Sequence, residues 1–172
     1  MQQEASMAAQ PSTQGWPKGL TLVVDYLTVD EETALVNSLD ELPWLGEIQR
    51  RTQQYGYHYS YRKQRVDDTP VPPLPACVRF LLDRFQDDHV PLVAHQLIIN
   101  EYQPGEQIKP HIDSTTDWGD CVVSLSLLDD WDMIFTHPGH VTSHLPHLSR
   151  AQGNDRAALR INVMNTTSSL DP

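Results

Sequence analysis

Residues 100–113 carry the most informative pattern of the chain; they read Asn100-Glu-Tyr102-Gln-Pro-Gly105-Glu-Gln-Ile108-Lys-Pro-His111-Ile-Asp113. On a β-strand, side chains two residues apart point to the same face, so the imidazole of His111 and the carboxylate of Asp113 are predicted to converge. An imidazole and a carboxylate are two of the ligands in the 2-His-1-carboxylate arrangement that binds Fe(II). Taken alone, the pair also fits a surface strand that happens to carry both residues.

The composition is typical of a single folded domain, with 172 residues of which 39% are hydrophobic. No apolar run approaches the roughly 18–20 residues of a membrane span, so no membrane partner is expected. Residues 1–16 have neither a basic start nor an apolar core, and we expect a disordered lead-in there, with the folded domain at 17–170. The two cysteines, Cys77 and Cys121, make no disulfide framework and favour a reducing, cytoplasmic or nuclear location.

Net charge is −11, which argues against indiscriminate binding to nucleic acid. The positive charge is local, however: residues 47–65 hold five basic residues and one acid, and the remaining chain holds 7 basic and 22 acidic residues. Four tyrosines alternate with other residues in this segment, and on one extended strand their rings would share a face. Rings beside arginines can stack bases while the cations hold phosphate, although a tyrosine-rich edge that packs on a sheet explains the same pattern.

The periodicity predicts an α+β fold. A strand is expected at 19–27, a helix at 28–42, an extended segment at 51–61, and a second helix at 76–85 after a proline-rich loop. From residue 92 onward the pattern changes to short strands, expected at 94–102, 108–113, 122–128, 133–136 and 160–164. Two helices followed by many short strands favour a sandwich or jelly roll at the C-terminal end.

Further polar residues lie on the predicted strands. Asn100 and Tyr102 are two residues apart, and their side chains could hydrogen-bond a small carboxylate ligand. The alternative is a half-buried strand whose polar groups are satisfied within the sheet itself. Arg160 lies on an otherwise apolar strand, where burial of a guanidinium is expensive without a partner. A bidentate carboxylate would remove that cost, unless the arginine lies at a strand end and reaches solvent.

As an ordered set these motifs resemble the AlkB family of Fe(II)/2-oxoglutarate dioxygenases. Asn-x-Tyr, Pro-Gly, Ile and His-x-Asp are followed by Ser124-Leu-Ser126-Leu127 and Phe135. Upstream, Arg51 and the tyrosine repeat resemble the family's substrate-facing segment, especially in the branch that acts on RNA or transfer RNA. The resemblance covers about residues 18 to 136 well and the last quarter of the chain poorly.

The resemblance implies a double-stranded β-helix, a jelly-roll variant, with two N-terminal helices packed on it and an iron and 2-oxoglutarate core at about 94–168. It implies oxidative dealkylation, or demethylation, of alkylated bases in RNA or DNA, with Fe(II) as cofactor and with 2-oxoglutarate and O2 as co-substrates. The implied catalytic iron ligands are His111 and Asp113. The implied 2-oxoglutarate contacts are Asn100, Tyr102, Arg160 and Asn162, and the implied substrate contacts are Arg51, Tyr55, Tyr57, Tyr59 and Tyr61.

The chain departs from the family pattern in its last quarter. The family's turn with the third iron ligand is missing, and four histidines crowd into this region instead: His137, His140, His144 and His147. We prefer His144, because Leu145-Pro146 follows it and Arg160 lies 16 residues on; His147 is the close alternative, and a simple metal-binding tract is another.

The second arginine of the family's Arg-x-Asn-x-Thr-x-Arg motif is also missing, and the polar stretch 137–155 predicts a shortened C-terminal part. Two other functions therefore remain open. The chain could be a catalytically impaired AlkB-like binding module, or a dioxygenase that acts on a protein side chain.

Overall fold

The computed structural model describes residues 17–129, 132–136, 143–145 and 158–166, without the side chains of 143–145 and 165–166. The predicted lead-in at 1–16 lies outside these residues, as do His137, His140 and His147. Most of the stretch 137–155, where we predicted a shortening, also lies outside them.

One helix precedes all of the described strands, and a second helix lies between the third and fourth strands along the chain. Helix α1 spans Val29–Asp40, and Thr28 caps it: its hydroxyl accepts from the Glu31 N–H at 3.2 Å, while the Glu31 carboxylate accepts from the Thr28 N–H at 2.9 Å. A short 3-10 turn at Ala76–Val78 leads into helix α2 at Arg79–Asp87. Both helices lie where the sequence predicts them. No helix in the described part of the chain is long and apolar enough to cross a membrane.

The described strands pair antiparallel throughout. A four-stranded sheet has the order β1-β4-β8-β5, and two hairpins, β2-β3 and β6-β7, complete the set. The strands are β1 (Thr52–Tyr55), β2 (His58–Ser60), β3 (Arg65–Asp67), β4 (Gln96–Tyr102), β5 (Trp118–Leu127), β6 (Met133–Phe135), β7 (Ser143–Leu145) and β8 (Ala158–Thr166).

The four-stranded sheet has one apolar and one largely polar face, because side chains alternate along each strand. Leu97 and Ile99 of β4 are fully buried, and they belong to one hydrophobic core with Ile161 of β8 and with residues of both helices. The neighbouring positions Asn100 and Tyr102 point to the opposite face. The helices thus cover the apolar face, and the polar face is the place for a site.

The strand predicted at 19–27 and the continuous extended segment predicted at 51–61 are wrong. Residues 19–27 form turns and no strand, and Asp25 has a φ of +54°, which ends an extended run. The extended segment predicted at 51–61 is broken at Gly56, whose φ is +77° and whose N–H donates to the Pro72 carbonyl at 2.8 Å. A Cβ at this position would lie 2.0 Å from the carbonyl oxygen of His95. Glycine is required here, and β1 and β2 are separate strands.

Candidate active site

His111 and Asp113 do not lie on a strand, so the prediction of a strand at 108–113 is wrong. They lie in the connection between β4 and β5, where Pro104 and Pro110 lack the N–H groups that a sheet needs. The two side chains converge nevertheless, with His111 Nε2 3.4 Å from Asp113 Oδ1. Both are about half exposed, at 52% and 57%, so the pair is open to a ligand from solvent.

The imidazole of His111 has a defined orientation. Its Nδ1 lies 2.9 Å from the carbonyl oxygen of Lys109. Because a carbonyl oxygen only accepts hydrogen bonds, Nδ1 is the donor in this contact, and Nε2 faces Asp113. Metal-bound histidines are commonly held in this way, with the second nitrogen bound to a backbone carbonyl. The donor set fits two positions of an Fe(II) site.

The third ligand stays a prediction. Among the side chains that the structure describes, no group of three His, Cys, Asp or Glu residues could hold a metal. His144 lies in β7 opposite Ile134 of β6, and its side chain is outside the described set.

The strand register brings together the four residues predicted to contact 2-oxoglutarate. Asn100 of β4 lies directly opposite Arg160 of β8, and Tyr102 lies two residues further along the same face. Asn162 lies two residues beyond Arg160, and its side-chain oxygen accepts a hydrogen bond of 2.7 Å from the Ser124 hydroxyl on β5. Three neighbouring strands therefore contribute polar groups to one face of the sheet.

Arg160 carries an unsatisfied group on this face. Its Nη2 is buried and has no hydrogen-bond partner among the described residues. Burial lowers the pKa of its guanidinium, and the nearby Tyr102 acts in the opposite direction. A buried donor without a partner is unfavourable, and a bidentate carboxylate is the group that best matches a guanidinium. This orphaned donor fits the carboxylate of a bound acid such as 2-oxoglutarate.

Arg50 is a site residue that the sequence did not single out. Its Nε donates a hydrogen bond of 2.8 Å to Asn100 Oδ1. Its Cζ lies 5.5 Å from the centre of the Tyr102 ring and 5.7 Å from that of Tyr61, within the range of cation–π contacts. In the sequence it is one of five basic residues in a segment, and only the pairing of Thr52 with Asn100 brings it to the site.

The neighbouring Arg51 has a different environment. It forms an ion pair with Glu101, and its Nη2 lies 3.8 Å from Asp40 Oδ1. Its Cζ lies 4.4 Å from the centre of the Trp44 ring. Glu101 alternates with Asn100 along β4, so Arg51 is engaged on the other face. These partners already engage its guanidinium. The role of Arg51 in substrate contact stays a prediction.

The tyrosines divide between two environments, so the prediction that all four share a face is wrong. Tyr55 is 5% exposed and belongs to the core against the helices, where its hydroxyl donates to Gln53 Oε1 at 3.0 Å. Tyr59 contacts Tyr61 edge-on, with ring centres 5.4 Å apart, and lies 5.1 Å from the ring centre of Trp118. Tyr57 is half-buried in the turn between β1 and β2. The break at Gly56 separates Tyr55 from the others.

The cluster of Tyr59, Tyr61 and Trp118 lies near the connection that carries the candidate iron ligands, because the Trp118 N–H donates to the carbonyl oxygen of Ser114, the residue after Asp113, at 3.2 Å. Burial raises the pKa of Tyr59, and the negative charges of Asp117 and Asp113 raise it further. Trp118, which the sequence did not single out, donates from Nε1 to Gln96 Oε1 at 2.6 Å and thereby links β5 to β4 across the intervening strand β8. Aromatic side chains therefore lie near the connection between β4 and β5 that carries His111 and Asp113.

Comparison with known families agrees with this geometry. The model of the 2OG-Fe(II) oxygenase superfamily matches residues 36–162, and the chain belongs to that superfamily. Within it, the chain is AlkB-like, as the sequence motifs predicted. The superfamily implies Fe(II), 2-oxoglutarate and O2, and it implies a jelly-roll fold, with which the antiparallel sheets are consistent.

The chain matches only part of the length of each named relative. The chain is 38% identical over 116 residues to the alkylated DNA repair protein ALKBH8 homolog of Arabidopsis thaliana, covering 63% of this chain and 34% of that protein. It is 33% identical over 138 residues to the tRNA (carboxymethyluridine(34)-5-O)-methyltransferase ALKBH8 of Macaca fascicularis, covering 73% and 20%. It is 32% identical over 135 residues to the alpha-ketoglutarate-dependent dioxygenase alkB homolog 4 of Mus musculus, covering 72% and 44%. The chain thus spans less than half of each of these relatives.

Proposed function

We propose that this chain is an Fe(II)/2-oxoglutarate-dependent dioxygenase that removes alkyl groups from nucleic-acid bases by oxidation. The observation that carries the co-substrate part is the buried Nη2 of Arg160, which has no partner among the described residues; Arg160 lies directly across the sheet from Asn100. The superfamily supports the reaction type. The convergence of His111 Nε2 and Asp113 Oδ1 supports the metal.

The residues of the site divide the work. His111 and Asp113 hold the iron, together with the third ligand that we assign to His144. Arg160 pairs with one carboxylate of 2-oxoglutarate, and Asn100, Tyr102 and Asn162 position the molecule on the sheet. The bound iron supplies the oxidising chemistry with O2, and the protein supplies orientation and a defined electrostatic environment.

A nucleic-acid substrate is supported by the β2–β3 hairpin and the aromatic cluster beside it. Arg62 and Arg65 are exposed on the hairpin, whereas Lys63 is engaged with Asp67 at 2.9 Å. Exposed arginines next to aromatic rings combine phosphate contact with base stacking. An enzyme that acts on a base must also expose it, and aromatic side chains beside the iron can hold a base that has left its stack. The names of two relatives refer to alkylated DNA and to tRNA.

Turnover of 2-oxoglutarate tests the proposal. The protein, loaded with Fe(II), should release succinate, and a methylated RNA or DNA oligonucleotide should stimulate this release and yield formaldehyde, unlike its unmethylated counterpart. His111→Ala should abolish turnover. Saturable binding of the oligonucleotide without turnover would instead favour the catalytically impaired binding module. The absence of the second arginine of the family's Arg-x-Asn-x-Thr-x-Arg motif supports that alternative. Succinate release that only a protein substrate stimulates would favour the protein alternative, with which the net charge of −11 is compatible.

A further inference from the structure

Arg50 is the residue of the site whose contacts the proposed function does not yet use. It immediately precedes Arg51 and β1, and its backbone is held close to the site because Thr52 pairs with Asn100. We propose that Arg50 is a positioning residue for 2-oxoglutarate, which acts by fixing the side chains of Asn100 and Tyr102. This inference rests on the proposed function and extends it to a further residue.

The first step concerns the amide of Asn100. An asparagine side chain presents an accepting oxygen on one side and a donating NH2 on the other, and rotation by 180° exchanges them. A guanidinium has only donors, so the hydrogen bond from Arg50 Nε at 2.8 Å selects the orientation with Oδ1 toward Arg50. The donating Nδ2 then faces away from Arg50. Because a carboxylate only accepts, this is the orientation in which Asn100 can bind the co-substrate.

The burial of Asn100 makes this selection effective. Asn100 is 4% exposed, so solvent offers few alternative partners that could stabilise the reversed amide. Tyr102, at 3% exposure, is held on the same face, and the Arg50 guanidinium lies within cation–π range of its ring. One arginine therefore contacts both β4 residues that we assign to the co-substrate.

The second step concerns charge. Within the described part of the chain, no ion pair joins Arg50 to a carboxylate, whereas Arg51 is paired with Glu101 and lies near Asp40. The positive charge of Arg50 is therefore retained on the polar face, to which Arg160 adds a second one. A dicarboxylate such as 2-oxoglutarate carries two negative charges, and a face with two cations favours it over a neutral or monoanionic ligand.

Arg51 provides a matched control. It is the same residue type, adjacent in the chain, and engaged on the opposite face of the sheet. Arg51→Gln removes an ion pair without touching Asn100 or Tyr102. If the loss of any arginine at the start of β1 weakens 2-oxoglutarate binding, both Arg50→Gln and Arg51→Gln should show the weaker binding. If Arg50 positions the co-substrate residues, only Arg50→Gln should show it.

The experiment is a calorimetric titration of 2-oxoglutarate into the protein loaded with Mn(II) under anaerobic conditions, so that no turnover occurs. Arg50→Gln should bind 2-oxoglutarate about tenfold more weakly, the change expected from the loss of one charge-assisted hydrogen bond. Arg50→Lys should recover part of the affinity, because an ammonium is also only a donor. Arg51→Gln should bind 2-oxoglutarate within about twofold of the wild type, because the contacts of Arg51 lie on the opposite face of the sheet from Asn100 and Tyr102.

A double-mutant cycle tests whether Arg50 acts through Asn100. If it does, Arg50→Gln combined with Asn100→Ala weakens binding by less than the product of the two single effects. Equal affinity of Arg50→Gln and wild type, or fully independent effects of the two substitutions, overturns the inference. Absence of 2-oxoglutarate binding by the wild type overturns the proposed function itself, and with it the role of Arg50. Circular dichroism of each variant confirms that it folds.

Discussion

Replacement of Arg160 by methionine should stabilise the protein without 2-oxoglutarate and should abolish stabilisation by 2-oxoglutarate. The guanidinium is flanked by Asn100 and Ser126 in the sheet register, and its Nη2 is buried without a described partner. Methionine fills a similar elongated volume and has no donor to satisfy. Removal of the orphaned donor should therefore raise the free energy of unfolding rather than lower it.

The magnitude follows from the cost of an unsatisfied buried polar group, which is about 1–3 kcal/mol. For a chain of this size, each kcal/mol shifts Tm by about 2–4 °C, so the apo form of Arg160→Met should melt up to about 10 °C higher. The wild type should gain about 2.7 kcal/mol from 2-oxoglutarate at a concentration a hundredfold above Kd. The variant should gain no stability from 2-oxoglutarate. When the co-substrate is added, the difference between the Tm of the variant and that of the wild type should therefore shrink or change sign.

Differential scanning calorimetry with and without 2-oxoglutarate, both with Mn(II) present, measures these changes. Arg84→Met is the control: Arg84 is ion-paired with Glu31 and donates to the Tyr26 carbonyl at 2.9 Å, so its loss should lower Tm. The reasoning is refuted if apo Arg160→Met is less stable than the wild type by more than about 1 kcal/mol, the usual effect of a point substitution. It is equally refuted if the variant keeps the stabilisation by 2-oxoglutarate.

Three further predictions concern other parts of the molecule. Gly56→Ala should destabilise the protein by about 3 kcal/mol or more in urea unfolding, because the new Cβ meets a backbone carbonyl at 2.0 Å and the residue needs a positive φ; a loss below about 1 kcal/mol would contradict the turn geometry. The pKa of Glu31 is lowered from 4.5 to about 2, chiefly by its hydrogen bond to Arg84. Its contribution to the free energy of unfolding is therefore present above pH 4.5 and is lost as pH falls toward 2. The pH dependence of the free energy of unfolding of Glu31→Gln should lack this part, and a pH dependence equal to that of the wild type would show that the ion pair adds no stability. If the hairpin contacts phosphate, Arg62→Gln and Arg65→Gln should each reduce the slope of oligonucleotide affinity against salt by about 1, and a wild-type slope in both variants would exclude this surface.

The local part of the fold is predictable because its causes are close together in the chain. The capping box of α1 depends on residues three apart, Thr28 and Glu31, and such a pattern can be read directly from a sequence. The alternation along β4 likewise separates Leu97 and Ile99 from Asn100 and Tyr102, because the period of a strand assigns them to opposite faces. The ordered motif that ends in His111 and Asp113 was sufficient to identify the family.

The division of residues 51–61 and the different environments of Arg50 and Arg51 come from contacts between distant segments. Residues 51–61 alternate as a strand should, yet the Pro72 and His95 carbonyls at Gly56 divide them into two strands. Arg50 and Arg51 are equivalent in the sequence, and only the pairing of β1 with β4 sends one toward Asn100 and the other toward Glu101.

The sequence by itself determined the chemical types in the site: an imidazole and a carboxylate for a metal, amide and phenol groups, and an arginine in an apolar strand. Tertiary structure alone decided which of them meet. Asn100 and Arg160 are sixty residues apart, and they face each other because of the register between β4 and β8. Register depends on backbone hydrogen bonds and on which face is buried against the helices, and these are properties of the assembled sheet rather than of either strand.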